Sequence, residues 1–214
     1  MNGLKKQKNG ELIVLSGPSG VGKSTVIAEL LSNRRDIYFS VSYTTRAPRV
    51  GEAEGVNYHF VSREEFERMI RDGELLEFAE YVGNYYGTSL KVIREKLEQG
   101  VDVLLDIEVQ GAAKVREKCP DAVLIFLIPP SLEELSRRLN QRNTDASEAI
   151  SLRLEQARQE CRESVCYDYL VVNDNVVDAA QEIRSILAAE RCKVKKRIHL
   201  THGIIGDWDG RKCE

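Results

Sequence analysis

Residues 12–25 read LIVLSGPSGVGKST, an apolar run followed by a glycine-rich turn that ends in Lys23-Ser24-Thr25. The run 12–16 is continuously apolar, as expected of a strand. From Val26 onward, Val26, Ile27, Leu30 and Leu31 fall on one face of a helix. Between the two, Gly17-Pro18-Ser19-Gly20-Val21-Gly22-Lys23-Ser24 meets every fixed position of G-x-x-x-x-G-K-[ST], in the strand-to-helix setting that gives this pattern its meaning. Glycines admit backbone angles closed to other residues. Successive N–H groups can therefore converge on an anion beside the positive end of a helix. The turn is predicted to hold the phosphates of a nucleoside triphosphate, with Lys23 reaching the β and γ groups and the Ser24 hydroxyl offered to Mg²⁺.

Working outward, the pattern alternates. IYFSVSYT (37–44) reads as one strand, and SREEFERMIRDG as a short helix with a capping box of Ser62 and Glu65 and a stop at Gly73. Strands are expected around GNYYGT within 74–88, then a helix from Ser89 to Gln99. VDVLLDI (101–107) and AVLIFLI (122–128) have the near-continuous apolar character of strands covered on both faces, joined by a helix at 110–118. Ser131 and Glu134 open another helix. NQRNTDAS then separates it from a helical stretch at about 147–163, so the pair reads as a mobile hairpin. YLVVN (169–173) and a helix at 176–190 complete an α/β chain with a mainly parallel sheet.

Composition narrows the class. The 214 residues, 42% hydrophobic and 30% charged with a formal charge of −3, suit one soluble domain and provide no basic field for long nucleic acids. The five cysteines form no CxxC pair and read as reduced thiols. MNGLKKQKNGE lacks the apolar core of a secretory signal, and no apolar run has membrane-spanning length. These features predict a cytoplasmic protein with no membrane and no nucleic-acid partner, and they leave a homodimer open. The three histidines show no triad or metal spacing.

A phosphate loop alone leaves GTPases, ATPases and small-molecule kinases open. No NKxD guanine-reading motif accompanies it, which weighs against a GTPase. The stretches SYTTRAPRVGEAEGVNY and LLEFAEYVGNYYGTS, followed by an arginine-rich hairpin, closely resemble the guanylate kinase family over about residues 11–190. The resemblance implies a P-loop NTPase-type sheet flanked by helices, a GMP-binding insert at about 42–90 and a helical lid at about 138–155. It also implies transfer of the ATP γ-phosphoryl group to GMP or dGMP, in the service of GMP recycling and GTP supply. Arg46, Arg49, Tyr58 and Tyr86 match the clamp on the GMP phosphate, while Glu77, Ser42 and Thr88 match the positions that read guanine. A carboxylate accepts from guanine N1–H and the 2-amino group but meets an acceptor on adenine. Arg138, Arg142 and Arg153 match lid arginines near the ATP phosphates, and Asn173 matches the adenine-side asparagine. Asp106 ends a core strand; metal duty and acceptor duty both remain open for it.

A non-catalytic interaction module of the same fold is the competing class, although such modules have degraded phosphate loops. Residues 1–10 read as a tail. The segment 191–214, with its basic run Arg191, Lys193, Lys195, Lys196 and Arg197, has no assigned role and reads as partly disordered, with Trp208 and Ile204-Ile205 leaving docking open.

Overall fold

The computed structural model describes residues 9–32, 36–81, 83–141 and 147–205. Strand β1 (Leu12–Ser16) lies at the centre of a parallel sheet ordered β2-β7-β1-β8-β9, with β2 at Ile37–Phe39, β7 at Asp102–Asp106, β8 at Val123–Ile128 and β9 at Tyr169–Val172. Its alternation feeds two cores. Ile13 and Leu15 pack with α1 (Lys23–Leu31) and α7 (Val176–Glu190) on one face, and Leu12 and Val14 with α3 (Leu90–Glu98) and α4 (Val109–Lys118) on the other. A centre strand buried on both faces explains the unbroken apolar run. The register pairs Leu15 with Asp106 and Ser16 with Phe126, so the loop after β1 emerges where β7 and β8 also end. In open α/β sheets ligands bind at that edge.

The expected single strand at 37–44 is two. β2 stays in the parallel sheet, whereas β3 (Tyr43–Thr44) joins a second sheet ordered β4-β3-β6-β5, with β4 at His59–Phe60, β5 at Leu75–Tyr81 and β6 at Asn84–Ser89. The chain leaves the first sheet after the Ser40 N–H bonds to the Leu104 carbonyl. It enters the second where Thr44, fully buried, donates its hydroxyl to the Tyr85 carbonyl. Residue type cannot reveal which sheet an apolar strand joins.

Between β4 and β5, α2 (Arg63–Arg71) covers this insert with Phe66, which stacks on Tyr85 at 5.2 Å. Both expected N-caps form: Ser62 Oγ accepts from the Glu65 N–H, and Ser131 Oγ from the Glu134 N–H, each at 3.1 Å. The glutamate carboxylates turn to arginines instead, Glu65 to Arg68 and Glu134 to Arg137 and Arg138. Helices α5 (Leu132–Gln141) and α6 (Ser147–Arg162) pack through Leu135, Leu139 and Ala157.

Beyond residue 190 the structure departs from the expected tail. Helix α8 (Val194–Ile205) is anchored by charge: Lys196 reaches Glu11 at 2.5 Å and Glu190 at 3.2 Å, and Arg191 pairs with Asp102 and with Asp36. Trp208 lies outside the described residues. Among the described residues, no helix is long and apolar enough to cross a membrane.

Candidate active site

The phosphate loop leaves β1 at Gly17, where a Cβ would stand 2.3 Å from the Leu127 carbonyl oxygen; only glycine allows this approach to β8. Gly22 caps α1 in the left-handed region, φ 98°. Its missing Cβ leaves room for Asn173, which is buried at the end of β9. Asn173 Nδ2 donates to the Val21 carbonyl at 2.7 Å, and its buried Oδ1 has no partner in the structure. Arg138 Nη1 reaches the same Val21 carbonyl at 3.2 Å, while its Nε bonds Glu134, whose carboxyl Arg137 and Arg138 together pull down to about 2. These groups, with Gly20, Gly22 and Thr25, line a cleft of about 540 Å³. Lys23 Nζ rests on the Gly17 carbonyl at 2.7 Å, and Ser24 and Thr25 are exposed at the start of α1. Pro18 is buried and Ser19 exposed within the loop.

Asp106 links this loop to the insert. Burial raises its carboxyl pKa while the Lys23 ammonium lowers it, and on the other side its charge helps raise the Tyr58 hydroxyl pKa, which burial raises most. Tyr58 and Tyr86 meet edge to face at 5.8 Å, with the Arg46 guanidinium 5.3 Å from the Tyr58 centroid. Arg46 forks onto Glu52 with Nη1 and Nη2, each at 2.9 Å, and the Arg49 N–H donates to the same carboxylate at 2.8 Å. Arg49 itself is an exposed residue, joined to this cluster through its main chain. Ser42 is half-buried, and its carbonyl accepts from the His59 N–H.

Glu77 on β5 is 5% exposed and accepts the Thr88 hydroxyl proton at 2.6 Å. Thr88 is thus spent on bracing Glu77. Burial raises the Glu77 pKa, opposed by the Thr88 bond and by Lys114 and Lys118 of α4. Arg153 is half-buried on α6, and Arg142 lies outside the described residues.

Sequence reasoning passed over Glu52, Lys114 and Lys118. Glu52 carried a signal, an acid three residues after Arg49 in a basic stretch. The lysines carried none, because their partners, the Phe78 and Leu76 carbonyls, are main-chain atoms on a distant strand.

Residues 9–190 match the family model described as guanylate kinase. The chain belongs to the guanylate kinase family. It is 52% identical over 202 residues to the guanylate kinase of Halalkalibacterium halodurans, covering 94% of this chain and 98% of that one. For the guanylate kinase of Lactococcus lactis the figures are 51% over 201 residues, with 94% and 98% covered. Among solved structures, the guanylate kinase from Anaplasma phagocytophilum superposes with a TM-score of 0.72 at 42% identity, covering 87% of this chain and 88% of the other. The mixed α/β fold expected from the guanylate kinase resemblance is therefore established. The alignments to relatives, unlike the family model, run on into the segment carrying α8.

Proposed function

We infer that the loop and the insert are the donor and acceptor halves of one reaction. The protein is an ATP:GMP phosphotransferase, forming ADP and GDP. The observation that carries the assignment is the buried Glu77 carboxylate, braced by Thr88 and near two lysines, because burial penalises its ionised form and hydrogen-bond donors from a ligand would offset that penalty. Guanine N1–H and the 2-amino group are such donors, and the Ser42 hydroxyl adds a contact to O6.

The phosphate of GMP sits between Arg46, Arg49, Tyr58 and Tyr86. Glu52 accepts from both terminal nitrogens of Arg46 and the Ala47 carbonyl from Nη1, so phosphate oxygen meets the guanidinium N–H groups outside these bonds. So held, a GMP phosphate oxygen lies in line with the γ-phosphoryl group, and positioning supplies much of the rate. The N–H groups of residues 17–25 cradle the donor phosphates. Lys23 leaves the Gly17 carbonyl for the β and γ oxygens, and the unpartnered Asn173 Oδ1 accepts from the adenine amino group. Arg138, Arg142 and Arg153 close over charge that spreads onto the transferring group, and closure excludes water.

Ser24 and Asp106 suit Mg²⁺. Their hard oxygens, one of them on a carboxyl whose burial a cation would relieve, fit an ion that completes its shell with phosphates and water. Held by Ser24 and Asp106, Mg²⁺ would supply neutralisation of the phosphate charge. We place this chemistry in the cytoplasm.

Enzyme and interaction module separate on Lys23→Ala. Calorimetry should find GMP binding nearly intact while ADP formation disappears. Wild-type protein that binds GMP without turnover would support the module instead.

A further inference from the structure

Gly111 lies near the start of α4, where that helix packs on β5. Glycine is among the least favourable residues inside a helix, and Gly111 has no positive φ that would demand it. What it does have is a neighbour. A Cβ built there would stand 2.9 Å from Glu77 Oε2 and 3.3 Å from Glu77 Cδ; the next atom, Ile107 Cδ1, is at an ordinary contact distance of 3.4 Å.

Such a collision is cheap when a free side chain can swing away, and Glu77 is not free. It is buried, Thr88 holds its Oε1 at 2.6 Å, and the carbonyls on either side of it are gripped from α4. Lys118 takes Leu76 O at 2.6 Å, and Lys114 takes Phe78 O. Gly111, Lys114 and Lys118 follow one another at helical spacing along one face. The helix thus presents β5 with a notch and then two ammonium groups.

We propose that Gly111 is a specificity-positioning residue, the notch that seats the Glu77 carboxylate where it meets both donor groups of guanine. This rests on reading Glu77 as the guanine acceptor. A methyl at position 111 displaces Oε2 by a few tenths of an ångström or turns it off Thr88, and a two-point contact of this kind tolerates little displacement. Alanine is the better helix residue, which offsets part of the steric cost, so the variant is expected to fold.

The experiment is a double-mutant cycle of Gly111→Ala with Glu77→Asp, alongside Glu77→Gln, read by steady-state kinetics and thermal unfolding. Gly111→Ala should stay folded and melt within a few degrees of wild type, keep its ATP KM within about twofold and raise the GMP KM about tenfold or more. It should also narrow the preference for GMP over inosine monophosphate, which lacks the 2-amino group. In the Glu77→Asp background the shorter acid no longer fills the notch, so adding Gly111→Ala should change the GMP KM little.

Equal losses in both backgrounds, or a marked fall in melting temperature, would overturn the proposal. So would an unchanged GMP KM in Gly111→Ala where Glu77→Gln impairs GMP, which would leave the Glu77 reading standing. An unaffected Glu77→Gln would instead remove that reading and the proposal with it.

Discussion

Arg46 holds Glu52 through both terminal guanidinium nitrogens at 2.9 Å, in a pair whose side chains are only 14% and 18% exposed. The same carboxylate accepts from the Arg49 main chain, so one acid orders the arginine loop before any phosphate arrives. Glu52→Gln should therefore raise the GMP KM several-fold and leave the ATP KM unchanged. If Glu52 merely blocked the phosphate site, the same variant would lower the GMP KM, and steady-state kinetics distinguishes the two.

Lys23 and Arg138 should separate in kind. Lys23→Ala removes a cation from the transferring phosphates and should lower kcat by about a thousandfold or more. Arg138→Ala removes one of the two side-chain donors on the Val21 carbonyl and one arm of Glu134. Its loss should fall on kcat and the ATP KM, with the GMP KM within about twofold of wild type in the same kinetic series.

Glu77 sets a pH dependence. Burial lifts its carboxyl above the ordinary value of 4.5, with Thr88, Lys114 and Lys118 opposing. GMP binding needs the ionised form, so the affinity should fall on acidification at a pH higher than an exposed glutamate would give. Glu77→Gln should abolish that limb in a calorimetric pH series and lower kcat/KM for GMP about a hundredfold. A raised carboxyl pKa penalises the folded state above the unfolded value. The same variant should therefore melt higher at neutral pH.

The α8 anchor predicts a stability effect without a catalytic one. Burial opposes ionisation of Glu190, yet bonds from Lys193, Tyr169 and Lys196 bring it to about 2, and Tyr169 is pushed up to about 12. A depressed carboxyl pKa contributes stability that is full above the unfolded value of 4.5 and lost as pH falls toward about 2. Lys196→Ala should cost about 3 kcal/mol in denaturant unfolding at neutral pH, with a smaller loss below pH 4.5, and leave the nucleotide KM values unchanged.

Local signals were legible wherever one short segment carried them. The strand 12–16, the phosphate loop and the caps at Ser62 and Ser131 are each decided within a few residues, and the structure matches them. The division of 37–44 between two sheets depends on Leu104 and Tyr85, far along the chain. The basic run after 190 reads as a partly disordered tail because the acids Glu11, Asp36 and Asp102 lie about 90 or more residues before it in the sequence. In the site, residue types were readable but partnerships were not. Arg46 announces an anion, and only the fold reveals that Glu52 already holds it; Glu77 stands out only through the family resemblance, and only the fold reveals its burial and the notch at Gly111.

We propose that Glu77 and the arginine-tyrosine clamp select GMP as acceptor for the phosphoryl group held by the loop. The most direct test of this is a coupled assay of ADP formation from ATP and Mg²⁺ with GMP, AMP, CMP and UMP in turn. Turnover with GMP alone is predicted; turnover with AMP or CMP equal to or above that with GMP would contradict it.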